Sequence, residues 1–139
     1  MAFVSILVGL APVLLFLAAL IVMDSYKLVS LKSVLRTTGI GCAAAFVALY
    51  VNRWLLGPGG LDEIHLKRYV APLGEEALKA LLIVYLIRTA KVGFMVDAGI
   101  HGFAVGAGFA LVENVYYFQA LQDPRIAVWI VRGFGTAVL

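Results

Sequence analysis

Long apolar segments separated by short polar connectors are the main pattern along this chain of 139 residues. The first segment covers residues 3–23, which is about the 20 apolar residues needed to cross the hydrocarbon core of a bilayer. Similar segments cover residues 37–56, 69–87 and 96–118, and a fifth, 126–139, stops short of a full span. The pattern predicts an all-α transmembrane bundle with four spans and an incomplete fifth.

The connectors carry helix and turn signals. Three leucines repeat at helical spacing within residues 24–36, which predicts an amphipathic helix lying on the membrane interface. The sequence GPGG at 57–60 ends the second span, and Pro72 lies near the first-turn position that proline favours at the start of the third. The last segment shows no capping glycine, basic flank or proline. We therefore expect the single membrane domain, residues 1–139, to be a fragment of a longer protein.

Composition supports a membrane protein. Hydrophobic residues make up 63% of the chain, against roughly 45–50% in an ordinary soluble domain. The formal net charge is +3, but the basic residues flank the apolar segments and form no basic face with interleaved aromatics. We therefore predict a lipid bilayer as the surrounding medium and no nucleic-acid partner. Cys42 is the only cysteine, which excludes a disulfide framework and a cysteine-based metal site.

The basic residues are distributed unequally between the two sets of connectors. Five lie in the connectors after the first and third spans, whereas three lie in the opposite loops and are partly offset by acidic residues. The positive-inside rule therefore predicts that the N-terminus is outside. With that orientation the third span enters, and the fourth leaves, through the outer half of the membrane.

Ionisable side chains within the apolar segments are the candidate functional groups, because charge inside a membrane is costly. The third span carries Glu75 and Glu76, with Lys79 one turn later, and the fourth carries Glu113 and Asn114. The predicted topology places these groups at one depth in the outer half, together with an arginine of the fifth segment. An alternative for the first pair is a simple helix N-terminus, where acidic residues are favoured.

Three glycines of the fourth segment share a face with Glu113 at about 100° per residue. They are Gly99, Gly102 and Gly106. Small residues let helix backbones approach closely, so we expect this face to pack against the third span and to direct Glu113 into the interface. In the inner half of the same segment, Asp97 and His101 are one turn apart and are predicted to form a structural hydrogen-bonded pair.

Motifs in the second half of the chain resemble the PrsW family of intramembrane proteases, which belongs with the CAAX-processing and bacteriocin-processing membrane proteases. The family pattern has an EExxK helix, an aspartate leading into a GFxxxEN helix, and a later helix with arginine before histidine. The matching segments here are PLGEEALK at 72–79, Asp97, GAGFALVENVY at 106–116 and RGFGT at 132–136. The likeness covers residues 72–139. The family's catalytic histidine is expected just beyond Leu139, and His101 does not replace it.

The resemblance implies an intramembrane endopeptidase of a bacterial or archaeal cell membrane. Its substrate would be a membrane-anchored protein cleaved near the extracytoplasmic surface, as in site-1 processing of an anti-sigma factor. Hydrolysis needs a base for water and donors for the oxyanion. We expect Glu75 or Glu76 to be the base, with Glu76 preferred, and Glu113 to orient the water or the glutamate pair. The supporting residues are Lys79, Phe109, Asn114 and Arg132.

Several alternatives stay open. No HExxH motif occurs and two glutamates alone make a poor zinc site, so we favour a metal-free mechanism, with zinc held by Glu113 and the later histidine as the alternative. The buried glutamates and Lys79 would also suit an ion- or proton-coupled transporter. No duplicated halves with interrupted helices support that function. A third possibility is an inactive membrane scaffold that binds anchored peptides.

Overall fold

The computed structural model describes residues 2–23, 29–89 and 95–121, together with the single residues 127 and 131. Every regular element in these ranges is helical, which confirms the all-α class. A π-helical turn, Leu66–Val70, leads without a break into the fourth helix. The helices in chain order are α1 (Ala2–Met23), α2 (Leu31–Leu56), the short α3 (Glu63–His65), α4 (Ala71–Arg88) and α5 (Met95–Leu121).

Local sequence explains both ends of α2. Ser30 has an extended backbone, with φ −77° and ψ 146°, and its Oγ accepts a hydrogen bond from the N–H of Ser33 at 3.2 Å. This cap satisfies one of the free N–H groups in the first turn. At the other end the N–H of Gly57 donates to the carbonyl oxygen of Arg53, and Gly60 adopts a φ of 67° that favours glycine. The predicted break at 57–60 is therefore where the helix ends.

The predicted segments coincide with α1, α2, α4 and α5 to within a few residues, except at the start of α2. Residues 31–36, which were predicted to belong to a separate interfacial helix, form the first turns of α2 instead. Residues 31–38 contain no glycine or proline, so the helix continues through the predicted boundary at Arg36 and Thr37. Residues 24–28, and nearly all of the predicted segment 126–139, lie outside the described residues.

Two described helices are long and apolar enough to cross a membrane, whereas the sequence predicted four spans and a fifth. They are α2 and the segment Met95–Tyr117 of α5. In α1 the segment with described side chains is shorter, Leu10–Val22. Helix α4 has 18 residues, but two glutamates, a lysine and an arginine fall within it, which is too many for a span judged by composition alone.

Helix α5 is the centre of the bundle. It packs most extensively against α2 and also contacts α1 and α4. One core cluster joins α5 to α1 through Val13 and Leu17, and a second joins α5 to α2 and α4 around Phe109, which is completely buried. This packing fixes α5 relative to α2 and α4, which carry the other polar groups described below.

The crossing of α2 and α5 is a close contact between backbones. A Cβ added at Gly41 would collide with the carbonyl oxygen of Val105, and a Cβ at Gly108 would collide with that of Thr38. The Cys42 thiol donates to the carbonyl oxygen of Gly108 at 3.4 Å. Small residues at this crossing let the two helices approach closely, as in other membrane-type helix pairs.

Gly99 and Gly102 of the predicted glycine face do not make this contact. Gly102 does face α4, where an added Cβ would lie 3.5 Å from Cδ1 of Ile83, an ordinary van der Waals distance. A Cβ at Gly99 would meet no atom of the described residues within 4 Å. The closest helix packing is therefore directed at α2 through Gly41 and Gly108, and the contact with α4 is looser.

Candidate active site

Helices α4 and α5 bring together carboxyl groups from the two sequence motifs. Glu75 is half-buried near the start of α4, and Glu113 is buried near the end of α5, with 9% of its surface exposed. The two side chains are in hydrogen-bonding contact. Because an ionised carboxylate can only accept hydrogen bonds, a bond between two carboxyl groups requires one of them to carry a proton. The pair can therefore both accept and supply a proton.

A third helix reaches this pair through Asn52, in the last part of α2. The Nδ2 of Asn52 donates a hydrogen bond to Oε1 of Glu75 at 2.9 Å. Asn52 lies outside the two glutamate motifs that predicted the site. The signal that could have found it is its position, since an asparagine near the end of an apolar span is a polar group that needs a partner.

Glu76 follows Glu75 in the sequence but has a different environment. Its Oε1 accepts a hydrogen bond from Nζ of Lys79 at 2.6 Å, and its side chain is 45% exposed while that of Lys79 is 9% exposed. Nζ of Lys79 also lies over the ring of Phe109, 5.2 Å from the ring centroid. A buried ammonium group needs such compensation, which here comes from a carboxylate and an aromatic face.

Asn114 supplies an unused hydrogen-bond donor next to Glu113. It is 2% exposed, and its Nδ2 has no hydrogen-bond partner among the described residues. Leaving a buried donor unsatisfied costs roughly 1–3 kcal/mol, so such a group is expected to serve a ligand, water or reaction intermediate. Arg132, the other predicted donor, lies outside the described residues.

A groove of about 260 Å³ opens between α2 and α4 beside the carboxyl pair. Asn52 and Glu75 line it together with apolar and small residues, among them Ala48, Gly74 and Ala77. A Cβ added at Gly74 would meet no described atom within 4 Å, so this wall borders open space. At roughly 30 Å³ per water molecule, the groove can hold several waters or part of a peptide chain next to Glu75.

His101 lies far from the carboxyl pair. Its Nδ1 forms a hydrogen bond with Oγ1 of Thr37 on α2 at 2.9 Å, and both residues are buried. Asp97, one turn earlier, is also buried and interacts electrostatically with His101. The bond between His101 and Thr37 links α5 to α2. The predicted hydrogen bond between Asp97 and His101 stays a prediction. Glu113 is 12 residues further along α5, about 18 Å at 1.5 Å per residue, so this cluster is separate from the site.

The described residues do not fit a zinc ion. No group of three His, Cys, Asp or Glu side chains within these ranges lies close enough to hold a metal. Protein zinc sites use three or four ligands, mostly histidine and cysteine, whereas Glu75 and Glu113 offer two carboxylates. Both histidines of the described segments have other partners, since Nδ1 of His101 is hydrogen-bonded to Thr37 and Nδ1 of His65 to Asp62.

Apolar helices that enclose a pair of contacting glutamates define an integral membrane protein with a polar site inside its helical bundle. The family described as PrsW family intramembrane metalloprotease matches residues 29–139, and the chain belongs to this family. This confirms the resemblance found from residue 72 onward and extends it to α2, including Asn52. No curated protein and no solved structure matched the chain.

Proposed function

We propose that this protein is an intramembrane endopeptidase that hydrolyses a peptide bond of a membrane-anchored protein, using water activated by a glutamate. Membership of the family supports intramembrane proteolysis in general. The contact between Glu75 and Glu113 supports water activation by a glutamate. One carboxyl group can take a proton from water while the other holds one for the leaving amine. An anti-sigma factor is the substrate class that we propose.

The environments of the two adjacent glutamates favour Glu75 over Glu76 as the base. Glu75 contacts Glu113, lines the groove and accepts a hydrogen bond from Asn52. Glu76, the base predicted from the sequence, accepts a hydrogen bond from Lys79 and compensates its charge. Nζ of Lys79 lies over the ring of Phe109 on α5 and is hydrogen-bonded to Glu76. The proposed role of this ion pair is to fix the first turns of α4 beside the site.

Asn114 is the proposed donor for the oxyanion that forms when water attacks the peptide carbonyl group. Its buried Nδ2 has no partner within the described ranges, so it can bond to the developing negative charge without first breaking another contact. Arg132 is proposed as a further donor. No step of this mechanism passes through a metal ion.

We propose that α1 and α4 also cross the membrane, with the N-terminus and the active site on the outer side. The buried ionisable residues of α4 point into the protein, since Glu75 contacts α2 and α5 and Lys79 lies against Phe109 of α5. Polar side chains that face the bundle interior are compatible with a span.

The proposed activity is tested with the full-length protein reconstituted in liposomes with a single-span substrate. We expect cleavage near the outer surface of the membrane, identified by mass spectrometry of the products, at a rate that a zinc chelator does not change. Inhibition by the chelator that added zinc reverses would contradict the metal-free mechanism. Ion or proton flux without cleavage would support the transporter, and peptide binding without cleavage would support the scaffold.

A leucine in place of Gly74 is expected to obstruct the groove. Because the added side chain would enter open space, the protein should fold normally, while KM should rise about tenfold, equivalent to about 1.4 kcal/mol of lost binding. The matched control is Gly39→Leu, which also adds a leucine facing open space on a helix but lies far along α2 from Asn52. Steady-state kinetics give the KM of both variants. Equal changes in KM would show that the substrate does not bind in this groove.

A further inference from the structure

Asn52 contacts the carboxyl pair from outside the two glutamate motifs. It follows Ala45 and Ala48 at helical spacing, and these alanines are buried in the core cluster that joins α2 to α4 and α5. The close crossing at Gly41 and Gly108 holds α2 against α5 further along the same helix. Asn52 is therefore carried by a helix whose position is fixed relative to the site.

The bond from Asn52 treats the two carboxyl groups of the pair differently. Nδ2 is an N–H donor, and it donates to Oε1 of Glu75 at 2.9 Å. A hydrogen bond to an ionised carboxylate is roughly twice as strong as one to a neutral acceptor, so this donor favours the charged form of the group that it contacts. The contact between Glu75 and Glu113 needs one proton, and the bond from Asn52 acts on the Glu75 side of that contact.

We infer that Asn52 is a positioning residue that holds the Glu75 carboxyl group at the groove and stabilises its ionised form, so that Glu75 acts as the base. The inference rests on the proposed function and assigns the role of base to one member of the pair. Asn52 and Glu75 line the same groove, so a water molecule or peptide group bound in that groove would lie beside the oriented carboxylate. Asn52 itself does not need to touch the reacting atoms.

The test uses three substitutions at this position in the full-length protein. Asn52→Leu and Asn52→Asp have similar size but lack the amide donor, and each should lower kcat about 10- to 100-fold, the factor provided by a hydrogen bond to a charged group, with little change in KM. Asn52→Gln keeps an amide donor on a longer side chain and should recover part of the loss. Arg53→Gln, at the neighbouring exposed position, is the control and should retain the original kcat.

Infrared spectroscopy provides a readout that does not depend on turnover. The C=O band of the protonated carboxyl group is assigned to the pair by its change in Glu75→Gln and in Glu113→Gln. That band should shift in Asn52→Leu, because Glu75 then loses a hydrogen-bond donor, and should stay in place in Arg53→Gln. Thermal unfolding of each variant shows whether it is folded.

The outcomes separate the inference from the function on which it rests. If the original protein does not cleave its substrate, or if Glu75→Gln cleaves normally, the proposed mechanism fails and the inference fails with it. If Glu75→Gln is inactive while Asn52→Leu and Asn52→Asp keep the original kcat and carboxyl band, the inference about Asn52 alone is overturned. Equal losses in all three Asn52 variants, with an unchanged band, would show a purely structural role.

Discussion

Replacing Glu75 by glutamine is expected to lower kcat for substrate cleavage by about 10²- to 10⁴-fold, the usual contribution of general acid–base catalysis. Glutamine has nearly the same shape, and its carbonyl oxygen can still accept the hydrogen bond from Asn52. The groove and the contacts of α4 are therefore retained, but no carboxylate is left to take a proton from water. Single-turnover cleavage in liposomes measures the chemical step separately from product release.

Two other glutamates make this experiment specific. Glu63→Gln is the control, because the Glu63 side chain is 65% exposed and pairs with Lys67 at 2.5 Å, and exposed ion pairs of this kind contribute roughly 0–1 kcal/mol. It should cleave normally. Glu76→Gln should keep substantial activity, since Glu76 is assigned to Lys79 and not to water. If Glu76→Gln were inactive and Glu75→Gln active, the base would be Glu76 and the assignment made here would be wrong.

The positions of the helices could be predicted because they depend on local properties of the sequence. Apolar length, the glycine–proline break at 57–60 and Pro72 near the start of α4 are visible without tertiary structure. That α4 and α5 are neighbours also follows from the short connector between them. The start of α2 was missed because the leucine spacing of an interfacial helix and that of a longer span are the same when no breaker separates them.

The arrangement of the side chains could not be predicted to the same degree. Glu75 and Glu76 differ by about 100° around the helix axis, and the rotation of α4 in the bundle decides which of them meets Glu113. The partner of Glu75 on α2 and the bond between His101 and Thr37 depend in the same way on how α2 crosses α5. The spacing of residues shows which side chains share one face of a helix. It does not show the angle at which two helices cross.

The crossing of α2 and α5 leads to the second large expected effect, on stability. Gly108→Ala should lower the free energy of unfolding by an amount near the upper end of the roughly 1–3 kcal/mol that overpacking costs. The atoms that the new methyl group would meet belong to the α2 backbone at Thr38, Gly41 and Cys42, so no side-chain rotation can relieve the collision. Denaturant titration of the detergent-solubilised protein measures the change.

The control for this experiment is Gly39→Ala, and the sign of its effect is informative. An alanine within a helix is normally favoured over glycine by roughly 0.5–1 kcal/mol, and a Cβ at Gly39 would meet no described atom within 4 Å. We therefore expect Gly39→Ala to stabilise the protein slightly while Gly108→Ala destabilises it. Similar effects of the two substitutions would mean that α2 and α5 are further apart than described. Asn52 would then no longer be held against Glu75 by that crossing.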